Sequence, residues 1–542
     1  MSAGDRTIKT TNLLLCLSLT VGLAACGKRD QDQTDCAFWA DKLANSGEIE
    51  MALAKSRELK CKESIPVLKA LFDQGLLQGA VLQTVKDIGD PVGGAPIVRA
   101  ALLVPDMSRT AAMMAREWKI TDAKTELVKV LQSENLYEAR DAAFDALLEL
   151  DKAENHEDLL IALAIADPNR QPIEINQRSI EELGKMGSKK AVPTLVKAIY
   201  LRSLKGQEAF PMTRKALAAI GDASVVTELL GVLQGTNQDI IAFAKTQGVR
   251  QWELDATPKT VQILADSLDP RIAEPLVADL DKEIEAPKDA NDDEFDRWHM
   301  DKSNRMKVIT FALGHLGVDN GLSGLGALLK NINKDTVTQR LNAANALAMV
   351  GTEVAQDLLI QAWKDEYVEV LRAGLLSYIA MSLDDRRLAV WDEMLGILPE
   401  GAPKPRKPIE LSNAVKGELE SNERIRTYIA VVRECKDNLA CWIGKAKSDN
   451  QDEQVKALLV LGKGRFPVND EIKTVLWAAF DAAGKNMVDT KRYSLMGLTR
   501  LGNPADGEKM AAKGLALIVD EPFWGGELFA YGNGLKRRML RQ

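Results

Sequence analysis

The sequence predicts an all-α protein, a solenoid of helical hairpins, on three observations. The first is the stretch from Gln339 to Asp365, which reads as a helix, a glycine turn and a second helix. Leu341, Ala344, Leu347 and Ala348 mark one apolar face, and Val354, Leu358, Leu359 and Ala362 the other, at helical spacing. Gly351 fits the left-handed position that closes a helix, and Thr352 can cap the next. The second observation is repetition. An aliphatic residue, a glycine and a capping residue recur as Ile88-Gly89-Asp90, Met186-Gly187-Ser188, Ile220-Gly221-Asp222 and Val350-Gly351-Thr352, with looser copies at Leu316-Gly317 and Leu501-Gly502-Asn503. Gly187 to Gly221 and Gly317 to Gly351 are each 34 residues, and the turns missing between Gly89 and Gly187 fall near Lys119 and Asp151. The third is composition: only 5% aromatic, rich in Ala and Leu, with strict strand-like alternation rare.

In chain order, residues 1–25 read as a leader. Arg6 and Lys9 precede an apolar run from Leu13 to Leu23, too short to span a bilayer. It ends in Leu23-Ala24-Ala25-Cys26-Gly27, which resembles the lipobox of bacterial lipoproteins. That resemblance implies cleavage before Cys26, lipidation of its sulfur and a stable membrane anchor. Gly27, where an Asp often retains such proteins in the inner membrane, points to the outer membrane, with the body facing the periplasm. The plainer alternative is an ordinary secretory signal with Cys26 left as a thiol. Residues 26–35 are a polar tether. Losing Asp5, Arg6 and Lys9 takes the formal charge from −8 to −9, and an exported acidic chain is a poor nucleic-acid binder.

Of six cysteines, Cys36, Cys61, Cys435 and Cys441 remain after the leader and the lipid site. In an oxidising compartment they suggest two disulfides with three pairings, the local one being simplest. For Cys435 and Cys441 a bridge needs a break between them, which Asp437-Asn438 can supply. A metal site would need its four ligands from two ends of the chain, so no metal is expected.

Residues 36–398 form the main array. Inside the first helix of many pairs, an arginine is followed by small and aliphatic residues: Arg140 by Ala143, Ala146 and Leu147, Arg340 by Ala343, Ala346 and Leu347, with related starts at Arg214, Arg305, Arg372 and Arg492. The partner helix often reads like Ala191-Val192-Pro193-Thr194-Leu195. Together these resemble HEAT repeats, in the short variety also seen in phycobilisome lyases, in about thirteen degenerate copies. The resemblance implies the fold and says little of chemistry; no lyase residue carries over, and the leader exports the chain. Gly235 to Asp269, with Trp252 and Pro258, exceeds one repeat. Glu283 to Asn304 carries the acidic run KDANDDEFD before Trp298 and His299, read as a solvated inserted loop because it lacks the glycine and distal glutamate of an EF-hand. Residues 399–410 are a proline-rich linker, residues 411–521 a shorter C-terminal array, and residues 522–542 an aromatic and basic cap.

Catalytic residues are not expected. His156, His299 and His315 lie in separate repeats without metal-ligand spacing, and His315 reads as a packing residue. Gly321-Leu322-Ser323-Gly324-Leu325 misses the last glycine of a nucleophile elbow, and no phosphate-binding loop occurs. Trp252, Trp298, Trp524, Phe529 and Tyr531 are the aromatic candidates for partner contact; the last three serve equally as packing for the final repeat. The basic tail, Lys536, Arg537, Arg538 and Arg541, reads as a solvated last helix or a contact to anionic headgroups. The expected function is a lipid-anchored envelope scaffold that binds another envelope protein without catalysis or cofactor. The alternative is a ligand-binding or enzymatic accessory protein with a site among the insertions at 235–304.

Overall fold

The computed structural model describes residues 34–44, 47–249, 252–288, 290–331, 337–366, 369–395, 422–484 and 486–538. The leader, Cys26, the proline-rich 399–410 stretch and Arg541 lie outside them. The described residues are helical with no strand; one isolated bridge, Arg202 to Glu208, pins a turn. No described helix is long and apolar enough to cross a membrane. The chain divides into two compact units, Met1–Val130 and Leu131–Gln542.

In the first unit the helices Cys36–Leu43, Ile49–Leu59, Ile65–Asp73, Gln78–Ile88, Pro91–Ala101 and Pro105–Glu117 follow one another through short turns. Most touch both the next helix and the next but one. Trp39, Leu43, Leu53, Leu68, Phe72, Val81 and Val85 are buried. Cys36 and Cys61 are bonded with their Cα atoms 5.1 Å apart, tying the first helix to the turn at Lys62–Ser64.

The second unit uses the same local rule. First helices contact first helices, as in Phe210–Ile220 on Ile173–Met186 and Asp292–Leu316 on Val337–Val350. Second helices contact second helices, as in Ala273–Leu280 on Leu322–Lys330. Small residues allow the close approaches: a Cβ on Gly184 would lie 2.7 Å from the Ala216 Cα, and one on Gly462 2.9 Å from the Gly497 Cα. The expected glycine turns are present, with Gly89, Gly187, Gly221, Gly317 and Gly351 all left-handed at φ 72, 67, 56, 67 and 65°. Lys119 takes the same conformation at φ 53°. Gly502 differs: its φ of −74° is extended, and Asn503 starts the next helix with a capping box.

Two readings are corrected. Val354 is 56% exposed; the buried face of Glu353–Asp365 is Ala355, Gln356, Leu359, Ile360, Ala362 and Trp363. The acidic run is no loop from Asn291 onward. Asp292, Asp293 and Glu294 form the first turn of a 25-residue helix, with Asn291 and Glu294 closing a capping box. Acids gain at a helix N-terminus from the macrodipole and from its free amides, which is why a charged run starts this helix.

The arginine marker also acquires a physical reason. Arg140 donates to the Ser133 and Arg170 carbonyls and to Gln171. Arg305 pairs with Asp279, and Arg340 with Glu366 and the Leu329 carbonyl. Arg140 and Arg340 tie the first turn of a first helix to a neighbouring connection, and Arg305, midway along its helix, ties it to the last turn of Ala273–Leu280.

Cys435 and Cys441 are bonded across the turn that Asn438 caps, with Cα atoms 5.2 Å apart. Beyond it the helices Gln451–Gly462, Asp470–Ala482, Val488–Leu501, Pro504–Leu517 and Pro522–Arg538 follow. Gln451–Gly462 also touches Glu369–Ser382, and the last helix touches Phe210–Ile220 and Thr257–Asp266.

Candidate functional site

A helix ends with carbonyls that lack intrahelical donors and with the negative pole of its dipole. In the second unit, cations from the C-terminal helices are seated on such ends. The Lys456 Nζ, fully buried, donates to the Ala380, Met381 and Leu383 carbonyls at 2.8, 3.0 and 2.5 Å. Lys463 donates to the Ser382 carbonyl at 2.7 Å. Arg500 donates to the carbonyls of Gly314 at 2.5 Å, His315 at 3.3 Å and Met349 at 2.8 Å. Arg537 donates to the Ala218 and Ala219 carbonyls, 2.6 Å each. Lys463, Arg500 and Arg537 are spaced by 37 residues, and the ends they cover run in the opposite chain order.

The glycines at these ends therefore do two things. Their positive φ closes the helix, and their missing side chain makes room for the cation. A Cβ on Gly221 would overlap the Arg537 guanidinium, one on Gly351 the Lys463 side chain, and one on Gly317 would lie 2.8 Å from the Arg500 Cζ. Burial pushes the Lys456 ammonium well below the ordinary lysine range. The three carbonyls accept from the amine and offset part of the cost of burying it.

Two buried clusters reinforce the contact. Arg214 pairs with Asp266 through two 2.6 Å bonds and with Glu527 of the last helix at 2.7 Å. Burial raises the Asp266 carboxyl above its ordinary range, against the pull of Arg214. His315, 3% exposed, stacks on Tyr531 with ring centroids 4.3 Å apart. The Thr499 hydroxyl lies 2.8 Å from the Met496 carbonyl and 3.2 Å from His315 Nε2. Burial, aided by the Arg500 charge, pushes the ring's pKa down to about 3 and keeps it neutral. His315 is a packing residue.

The row does not stop at Gly221. At Gly187 no described atom lies within 4 Å of an added Cβ. Beside it a groove of about 590 Å³ runs between the end of Ile173–Met186, the Phe210–Ile220 helix and the last two helices. Met186, Met212, Ala219, Leu515 and Phe529 line it, and Leu515 is 47% exposed. A second, wider hollow of about 930 Å³ opens at the end of Arg140–Leu150 and shares Lys185 and Met186.

The aromatic candidates fall in several places. Trp298 is 9% exposed and packs with Leu254 and Ile284. Trp524, Phe529 and Tyr531 are buried in the seat of the last helix, while Phe523 beside them is 64% exposed. Trp252 begins a short helix, Trp252–Asp255. Of the basic tail, Arg537 is seated as described and Lys536 pairs with Glu508. His156 approaches Asp151 at 3.1 Å, and His299 contacts Phe295 and Trp298 edge-on. No group of three or more His, Cys, Asp or Glu that could hold a metal occurs among the described residues. Sequence reasoning missed the seated cations; the signal was the 37-residue spacing of Lys463, Arg500 and Arg537, each in the last turn of a helix or just past it.

No protein-family model and no curated protein matches the chain.

Proposed function

We propose that this chain is an exported, lipid-anchored binding scaffold: a solenoid of about thirteen HEAT-like hairpins, anchored through Cys26 at the outer membrane and facing the periplasm. It holds another envelope protein and catalyses no reaction. The observation that carries this reading is the groove beside Gly187, where Met186, Met212 and Leu515 leave apolar surface open on rigid helices. Rigid helices that present such a surface lose little order on binding, which favours recognition. The two disulfides support an oxidising compartment, and the acidic balance argues against a nucleic-acid partner.

One observation favours a ligand-binding accessory as the second reading. A cleft of about 290 Å³ takes Val261, Gln262, Ala265 and Asn304 from or beside the inserted stretches, together with Phe311, Arg492 and Trp524. Its apolar walls, with Lys307, Arg492 and Glu527 as the charged groups, suit a small amphiphile.

The test is affinity capture of the tagged protein after crosslinking in cells, with Cys26→Ser as the control for membrane proximity. The scaffold reading expects one dominant protein that survives stringent washing. Lipid and abundant bystanders alone would overturn it and direct attention to the cleft.

A further inference from the structure

The contact that fastens the C-terminal helices also describes what the open groove is built to receive. At the ends of Phe210–Ile220, Asp292–Leu316, Val337–Val350 and Glu369–Ser382 one arrangement recurs, while the end of Thr257–Asp266 between them is covered by Gly534 in place of a cation. A helix lies over the ends of first helices, small residues let it approach, and a cation from its last turn, or just beyond, enters a helix C-terminus. Arg500 takes the carbonyls three and two residues before Gly317, and Arg537 those three and two before Gly221. The equivalents before Gly187 are the carbonyls of Gly184 and Lys185. No described side chain donates to either, the Gly187 amide meets the Gly184 carbonyl at 3.2 Å, and the space over Gly187 is open.

The groove at this end continues the existing interface. Its far wall is the seated hairpin itself, through Ala511, Ala512, Leu515 and Phe529, and its floor is the Phe210–Ile220 helix through Met212, Ala216 and Ala219. Alanines on both sides allow a helix to approach closely, as Gly462 and Gly497 do inside the chain. The charge also fits. In the hollow at the end of Arg140–Leu150, Glu149, Asp151, Glu154 and Glu182 outnumber Lys152 and Lys185, and in the groove Glu181 pairs with Lys185 and Lys215. Two helix C-termini add their negative poles.

We propose that the ends at Gly187 and Asp151 are docking seats for a helical partner protein, which inserts Arg or Lys side chains from the last turns of its helices as Arg500 and Arg537 do within this chain. The inference rests on the scaffold reading and names the chemistry of its partner. The fold already holds the recognition unit in repeated form, so an occupant of this groove needs an apolar helix face and a terminal cation, spaced to follow the row.

The experiment is photocrosslinking in cells from benzoylphenylalanine placed at Met212, with the adduct peptide sequenced, in the full-length chain. The expected adduct lies on another protein, in a helical segment with Arg or Lys within about one turn. Leu515→Arg should cut the yield about tenfold by like-charge repulsion, whereas Leu515→Glu preserves it. Ala512→Arg and Ala512→Glu, also at an exposed site, repeat the comparison independently. Equal loss with either charge overturns the cationic seat. So does an adduct on a second copy of this chain, on its own segments or on lipid. If affinity capture still yields a dominant partner while Met212 gives no adduct, the seat fails and the scaffold reading stands; if capture yields none, the scaffold reading fails first.

Discussion

The Arg537 guanidinium occupies the space that a side chain on Gly221 would need, although 316 residues separate the two. Arg500 stands in the same relation to Gly317, and Lys463 to Gly351. The second unit is thus fastened by cations placed into helix ends, a contact between segments far apart in sequence. Face-to-face packing of apolar stripes accounts for neighbouring helices; these cations fix which distant helices meet.

Arg500 is the most connected of the series. Arg500→Met removes the donors of the Gly314, His315 and Met349 carbonyls while keeping most of the apolar stem. The expected cost is about 2–4 kcal/mol, since partly buried acceptors are left unmet. Arg500→Lys keeps the charge and loses the fork, so it should fall between. Urea unfolding followed by tryptophan fluorescence measures both.

His315 makes stability depend on pH. Its folded pKa of about 3 lies below the ordinary 6.5, so the folded state binds this proton less readily than the unfolded chain. Its contribution is fully present above pH 6.5 and is lost as pH falls toward 3. Between pH 7 and pH 5 the loss is about 2 kcal/mol. His315→Leu should flatten this part of the profile in urea titrations at the two pH values. An unchanged slope would mean that other groups set it.

The two disulfides should contribute unequally. Cys36–Cys61 closes a separation of 25 residues and Cys435–Cys441 one of 6. In the chain-entropy model these give about 3.5 and about 2 kcal/mol. Replacing each pair with alanines and comparing urea midpoints tests the ordering. The first loss should fall on the first unit and the second on the second, which limited proteolysis resolves.

How far the sequence could be read follows from range. The turn at Gly351 and Thr352 is local chemistry, a left-handed residue beside a capping hydroxyl, and it is present as read. Arg140 and Arg340 were visible as markers, but their role depends on Gln171 and Glu366 in neighbouring connections. Arg537 was legible only as a basic tail, because a cation at a helix end usually faces water. Its seat on Ala218 and Ala219 comes from a return of the chain that no local period encodes. The acidic run before Trp298 was misread for the opposite reason: charge suggested solvent, while Asn291 and Glu294 supplied a helix start.

The central claim, that seated cations fasten distant helix ends, is tested most directly by a double-mutant cycle between Gly221→Ala and Arg537→Ala, read as unfolding free energy in urea. Alanine at a left-handed position costs about 1 kcal/mol by itself, which Gly187→Ala at the open end should report. With Arg537 present, Gly221→Ala should cost about 3 kcal/mol, because strain and eviction of the cation add. In the Arg537→Ala background the cost should return to the Gly187 value. Equal costs in both backgrounds would contradict the account.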